Sequence, residues 1–308
     1  MPLALSTSWN AFRHNRAAGI IREIKAIGFR DIELSFNLTP LMVKEIGGFV
    51  EKGQVRVASL HNYCPIPAGL SRARALPDCY SMSSADSAER EKALKYTKAT
   101  IDAARRLGAE AVVLHCGRVE IPDRTRDLIS LCHRNRRNSP AYRFLKKRAI
   151  EERKESAEVF LKAALKSLEE LERYARKGKI KLGIETRFYY REIPSFEETG
   201  FILRLFQDSN IFYWHDCGHA QLMQELGFVA GHRDYLEAYG RRLLGIHLHD
   251  IAGCQDHLAP GRGILNFSSF KPYLKKDTLK VIEAHAGAGP EDLKKSVLLL
   301  ERILDAKS

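Results

Sequence analysis

Imidazoles and carboxylates recur in this chain where short apolar runs end. The run from Ile211 to Trp214 passes into His215-Asp216-Cys217-Gly218-His219-Ala220. An Asp and a His three residues apart, at the mouth of a buried strand with Gly218 to turn the chain, can grip one divalent metal ion. Such ions take carboxylate oxygens and imidazole nitrogens. Other strand candidates carry the same chemistry at their ends. Glu33 lies in the second, His61 ends the third, His115 the fourth and Glu185 the fifth. His247 and His249 lie at the end of the seventh, His257 follows in the loop, and Glu283 ends the eighth. A lone histidine such as His61 or His115 is more often structural. Glu185, after Leu182-Gly183-Ile184, and Glu283, after Val281-Ile282, are harder to explain that way. A buried carboxylate is costly unless paired or metal-bound; Arg187 is the competing partner for Glu185. We expect Glu185, Asp216, His247 and Glu283 to hold the metal. His61, His115, His219 and His257 then serve as ligands of a second ion, as supports of the ligands, or as substrate contacts. The loop from Ile246 ends in Gly261-Arg262-Gly263, whose glycines permit close backbone approach to a substrate, with Arg262 suited to a phosphate or carboxylate.

These groups can converge only if the strand ends share one face. Strand candidates are Leu3–Ser6, Asp31–Ser35, Val55–His61, Ala111–His115, Ile180–Glu185, Ile211–Asp216, Leu243–His249 and Lys280–Ala284. Between them, helical spacing covers Ala17–Ile27, Thr39–Lys52, Ser87–Leu107, Glu155–Arg176, Ser195–Gln207 and Glu291–Leu304. Ser195 stands three residues before Glu198, a capping box. Gly28, Gly108 and Gly178 close their helices. Strands alternating with helices predict a parallel sheet, and the count and spacing suit a closed (β/α)8 barrel, an α/β fold with function gathered at the C-terminal strand ends. An open doubly wound sheet is the alternative, weakened by the absence of a Gly-x-Gly-x-x-Gly turn after the first strand.

Two segments break the rhythm. Residues 62–87, after the third strand, carry Pro65, Pro67, Pro77, Arg72 and Arg74, and can cover the site. Residues 117–155, after the fourth, form a basic insertion: Arg134-Asn135-Arg136-Arg137-Asn138-Ser139-Pro140 and Lys146-Lys147-Arg148 include no acid. Ser139-Pro140 reads as a turn. The insertion is either a solvated charged helix or an anion-binding lid.

The 308 residues suffice for a large core and are expected to form one domain, 1–308. There is no eighteen-residue apolar run, so no membrane partner is expected. Met1-Pro2-Leu3 opens no signal peptide, and Asn37-Leu38-Thr39 is then not read as a glycosylation site. The six scattered cysteines form no Cys-x-x-Cys pair, which argues against a disulfide framework and for a cytoplasmic location. Cys116 and Cys217 neighbour ligand candidates and are read as small buried residues. The net charge of +12 favours anionic partners, a phosphorylated small molecule or nucleic acid.

In order and spacing, the chain resembles the xylose isomerase-like TIM barrel superfamily, in particular its sugar phosphate isomerase/epimerase branch. The resemblance rests on His61-Asn62-Tyr63, Val113-Leu114-His115-Cys116-Gly117, Gly183-Ile184-Glu185, Asp216-Cys217-Gly218-His219-Ala220, and His247-Leu248-His249-Asp250 leading to Asp256-His257 and Gly261-Arg262-Gly263. It implies a metal on Glu185, Asp216, His247 and Glu283, with Glu185 and Glu283 on opposite faces of the substrate. The expected cofactor is a divalent ion (Mn, Zn, Co or Mg), one in number, with two or three open. The expected reaction is isomerisation or epimerisation of a keto sugar or sugar phosphate, one carboxylate removing the proton α to the carbonyl and the other returning one. A related branch, endonuclease IV, implies an alternative, phosphodiester cleavage in abasic DNA with three zinc ions, whose extra ligands map to His61, His115, His219 and His257. One Asp of that pattern is Gln255 here, with Asp256 beside it expected to point elsewhere, and a Glu between the last glycines is Arg262.

Overall fold

The computed structural model describes residues 3–304; Met1 and Pro2 lie outside the described residues. Eight parallel strands close a barrel: β1 (Leu3–Ser6), β2 (Asp31–Leu34), β3 (Arg56–His61), β4 (Ala111–Leu114), β5 (Lys181–Glu185), β6 (Ile211–Asp216), β7 (Leu243–Leu248) and, after a two-stranded hairpin of β8 (Asp250–Ala252) and β9 (Gln255–Leu258), β10 (Leu279–Ile282). The order around the barrel is β1-β10-β7-β6-β5-β4-β3-β2, so every strand pairs on both edges. The expected α/β barrel is the one the chain adopts, and the expected strand positions hold to within two residues at each end.

Alternation along each strand sorts the side chains. Leu182, Ile184, Val112, Leu114, Ile246 and Leu248 point out into the main core shared with the helices. Ala4, Ala58, Ala111, Val113, Trp214, Leu244, Leu279 and Val281 pack in a separate cluster inside the barrel. One further step along the inward series reaches His115 on the β4 side, Asp216 on β6 and Glu283 on the β10 side. Trp214 plugs the barrel beneath them. A Cβ on Gly245 would sit 2.4 Å from its ring, so only glycine leaves room for it on β7. Its ring centroid lies 5.1 Å from that of His247, the two rings inclined by 64°, making it the floor of the site.

The helices follow from local chemistry. α1 (Ala17–Ile27) buries Ile20, Ile21 and Ile24 and ends at Gly28, whose φ of 113° suits glycine. α2 (Pro40–Glu51) is capped by Thr39, and α3 (Ser87–Leu107) by Asp86. The insertion after β4 forms α4 (Arg124–His133) and then α5 (Pro140–Lys177), a helix of 38 residues. Here the expectation of a turn at Ser139-Pro140 and a helix from Glu155 is corrected. Ser139 is the N-cap and Pro140 the first helical residue, where proline's missing N–H costs nothing. α6 (Phe196–Leu205) carries the expected Ser195–Glu198 capping box. α7 (Cys217–Glu225), α8 (His232–Tyr239) and α9 (Pro290–Leu304) complete the set among the described residues. No described helix is long and apolar enough to cross a membrane.

Candidate metal centre

Glu185, Asp216, His247 and Glu283 come together at the C-terminal end of the barrel, each offering a ligand atom within 4.8 Å of the others. Strand register explains part of this, since Asp216 pairs with His247, which pairs with Val281, two residues before Glu283. His247 is the hub. Its Nδ1 lies 2.7 Å from Glu185, 3.0 Å from Glu283 and 3.5 Å from Asp216. Its Nε2 lies 3.2 Å from Glu33, which also accepts from Ser59 Oγ at 2.8 Å. Donation of Nε2–H to the fully buried Glu33 leaves the Nδ1 lone pair facing three carboxylates, the tautomer a metal needs.

His61 and His115 form a second group with Glu185. The Nδ1 of His115 faces Asp78 at 3.0 Å, and that of His61 faces the Asn62 carbonyl at 3.0 Å. Each Nε2 is thus turned toward Glu185, at 2.8 Å and 3.8 Å. The buried His115 Nε2 nevertheless lacks a properly directed hydrogen bond. An unaligned nitrogen and carboxylate at that separation have the spacing of two ligands of one ion.

The third group is Asp216, His219, His249 and His257. Asp216 caps α7 by accepting the His219 N–H at 2.7 Å, which is why the Asp-x-x-His spacing brings both inward. His219 Nδ1 faces the Thr186 carbonyl at 2.9 Å. His249 is committed elsewhere: its Nδ1 accepts the His257 N–H at 2.9 Å, so Nε2–H donates to Asp216 at 2.9 Å. It positions Asp216. A Cβ on Gly218 would lie 2.2 Å from the His249 ring, so this arrangement needs glycine there.

Several sequence expectations are corrected. Asp256 does not point elsewhere. It lines the cavity, 2.8 Å from His257 Nδ1 and 3.9 Å from His219 Nε2, because an irregularity in the β8–β9 hairpin and a positive φ at His257 turn it inward. Gln255 is exposed. Arg262 does not reach the cavity; it is largely exposed and lies 3.7 Å from Asp292 on α9. The Gly-Arg-Gly end wraps the Asp250 carboxylate instead, which accepts the N–H groups of Gly261 and Leu265 at 2.9 and 3.0 Å. The basic run is not a lid. Arg137 pairs with Glu225 at 2.7 Å, Lys146 donates to the Gly227 carbonyl and Arg148 pairs with Glu152, all away from the cavity. The segment after β3 does cover the site, through Leu76, Pro77 and Asp78. The six cysteines are free thiols, and burial pushes Cys116 up to about 12 and Cys217 well above its usual range.

Other site residues carried weaker signals in the sequence. Arg187 is the partner anticipated for Glu185, at 2.7 Å, and it also pairs with Glu192 at 3.0 Å. Asp78 and Glu192 lie in loops, where no strand period marks them. His285, two residues beyond Glu283, lines the cavity and stacks on His257 at 3.7 Å.

The electrostatics test whether a cation fits. Glu33, Asp78, Glu185, Asp216 and Glu283 crowd one space with Arg187 the permanent cation among them. Burial works against ionising Glu185, Asp216 and Glu283, yet the surrounding histidines hold all three well below the ordinary carboxylate range. Burial and Arg187 oppose a charge on His115, but Asp78 and Glu185 push it up to about 9. Protons on His115, His247 and His257, all held by neighbouring carboxylates, balance that charge; a divalent metal would take their place, and the mixed N/O donor set suits one. The cavity above holds about 430 Å³, the size of small-molecule sites.

Comparison with known proteins agrees with this architecture. The chain superposes on a D-tagatose 3-epimerase-like protein with a TM-score of 0.66, at 18% identity, covering 99% of this chain and 97% of that one. It superposes on 3-keto-D-glucoside 4-epimerase from E. coli with a TM-score of 0.68, at 16% identity, covering 98% and 99%. For D-allulose 3-epimerase from Methylomonas sp. the TM-score is 0.66 at 16% identity, covering 98% and 97%. At these identities the likeness is one of fold. No curated protein matches the sequence. The sequence pattern of the xylose isomerase-like TIM barrel matches residues 21–303. With a barrel closed in this order and a match over nearly its whole length, the chain belongs to the xylose isomerase-like TIM barrel family.

Proposed function

We propose that the protein is a divalent-metal-dependent isomerase or epimerase of a keto sugar or sugar phosphate. The observation that carries this reading is the ring of Glu185, Asp216 and Glu283 around His247 Nδ1, opening into a cavity of monosaccharide size. Epimerase folds among the similar structures support it. The metal would be held by Glu185, Asp216, His247 and Glu283, and when bound supplies Lewis acidity to a substrate carbonyl. Glu185 at the end of β5 and Glu283 just after β10 both reach the cavity, three strand positions apart around the barrel, and are ionised. Each can therefore accept a proton from a carbon beside the carbonyl; the carboxylate that removes it becomes a carboxylic acid, and return from the other requires that group first to take up a proton from solvent. Arg187 donates to Glu185 Oε2 at 2.7 Å and holds the carboxylate in place. Phe36, Leu76 and Pro77 supply apolar lining to the cavity.

The phosphodiesterase alternative is not carried forward. The basic run lies away from the cavity, and the similar structures named above are sugar epimerases or epimerase-like proteins.

The test is solvent deuterium entering the carbon next to the carbonyl of keto sugars and their phosphates, followed by NMR with the metal-loaded protein. Glu185→Gln should lower exchange by at least about 10²-fold, with the fold intact by circular dichroism. Exchange equal to wild type would remove Glu185 from the mechanism, and no exchange with any ketose would reject the reading.

A further inference from the structure

Charge within the cavity is unevenly divided. The carboxylates gather at its buried floor, while Arg118, Arg126 and Arg191 line the same cavity further out. Exposure rises along this direction. The side chains of Glu185 and Arg187 are 1% and 4% exposed, those of Arg191 and Arg118 are 26% and 29%, and that of Arg126 is 72%. Arg118 follows β4, Arg126 lies in the first turn of α4, and Arg191 lies in the loop after β5. A bridge between Arg118 and Glu192, and the Val119 N–H donated to the Arg191 carbonyl at 2.8 Å, lay the two backbones side by side.

Protein groups do not saturate these guanidinium groups. Arg118 Nε lies 3.0 Å from Glu120 but out of hydrogen-bond alignment, and its Nη atoms make no hydrogen bond among the described residues. Arg126 contacts Asp123 at 3.1 Å and the Tyr189 hydroxyl at 3.2 Å, with its guanidinium over the Tyr189 ring. Arg191 donates to the Ile121 carbonyl at 3.2 Å, stands 3.9 Å from Asp123 and leaves Nε without a hydrogen-bond partner. Three cations thus share two carboxylates on one wall. Like charges repel at such an arrangement, and an anion relieves it; the planar guanidinium fork matches the oxygens of phosphate or carboxylate.

We infer that Arg118, Arg126 and Arg191 form an oxyanion subsite, so that the substrate carries a terminal phosphate monoester or carboxylate on the end away from the reacting carbonyl. This rests on the isomerase reading for the position of the carbonyl. A neutral polyhydroxy end then lies over the metal ligands, and the charged end lies against the arginines, outside the reach of Glu185 and Glu283. Glu120 and Asp123 hold the guanidinium groups in place when the anion leaves. Arg187 belongs to the floor, committed to Glu185 and Glu192.

Binding tests this without turnover. Protein loaded with Mn²⁺ is titrated calorimetrically with D-glucitol, D-glucitol 6-phosphate and D-gluconate, none of which carries a reacting carbonyl. One charged ligand should bind at least about tenfold more tightly than glucitol, as expected for charge-assisted hydrogen bonds; which one tells phosphate from carboxylate. Arg118→Gln combined with Arg191→Gln should remove that gain, with Mn²⁺ and glucitol binding retained. Equal affinity for glucitol and both charged ligands overturns the subsite. So does a gain that survives the double substitution, since the metal then holds the oxyanion, or tight binding confined to a short abasic duplex. Deuterium exchange in unphosphorylated ketoses without any oxyanion gain would sink this inference and leave the isomerase reading standing.

Discussion

At the scale of single residues, the site is governed by which nitrogen of each histidine is left free. His247, His61, His115 and His257 each have one ring nitrogen against a fixed partner: Glu33, the Asn62 carbonyl, Asp78 and Asp256. That fixes the other toward the carboxylates. Glu33 is the most consequential partner, because it faces the histidine common to three carboxylates. Glu33→Gln leaves the ligands in place but lets the His247 tautomer invert. Metal affinity should fall about 10–100-fold, the usual cost of losing such a partner, as read by competition with a chromogenic chelator. An unchanged affinity would show that the barrel alone orients His247.

At the scale of elements, the N-terminus of α7 shows how a turn becomes a site. Asp216 caps the helix through the His219 N–H, and Gly218 leaves space for the His249 ring that holds Asp216 from the other side. In Gly218→Ala the new methyl must displace that ring. We expect about 1–3 kcal/mol of lost stability in chemical denaturation, with weaker metal binding as Asp216 loses a donor. A variant matching wild type in both would remove His249 from the argument. α5 acts similarly at longer range. Its buried Arg153 pairs with Glu198 at 2.7 Å and donates to the Tyr190 and Glu192 carbonyls, both at 2.9 Å, anchoring the loop that carries Arg191. The strand ends were legible because period 2 and burial leave few places for Glu185 or Glu283. Asp78, Glu192 and Arg191 were not, because loops have no period. Of the two readings of the basic insertion, its run from 134 to 148 takes the solvated one; the sequence could not choose, because local charge density says nothing about which way a segment faces.

At the scale of the molecule, the proposed ligands come from β5, β6 and β7 and the residue after β10, so an ion held there would tie distant parts of the barrel together. A divalent ion at about 100 times its dissociation constant should add about 2.7 kcal/mol to stability. Thermal unfolding with and without a chelator would measure it, and coincident curves would argue against a resident metal. Behind the barrel wall, a hydrogen-bonded line runs from Tyr213 through His215 and His232 to Gln221. Burial pushes His232 down to about 4. Above about pH 6.5 the folded and unfolded chains both carry it neutral. As pH falls from about 6.5 toward 4, only the unfolded chain takes the proton, so stability declines, and below that the dependence flattens. His232→Gln should reduce this acid slope in denaturant titrations between pH 7 and 4; an unchanged slope would place the acid sensitivity elsewhere.

By itself the sequence determined the barrel and the inner ring of ligand candidates. Both are written in short-range terms: alternation within a strand, caps at helix ends, and the cost of a carboxylate in an apolar run. Tertiary structure alone decided which histidine nitrogens are free, that Asp256 turns inward while Arg262 turns out, and that the cations lining the outer part of the cavity are Arg118, Arg126 and Arg191. Those outcomes depend on contacts between segments far apart in the chain. Barrel closure sets them, and no local pattern encodes them.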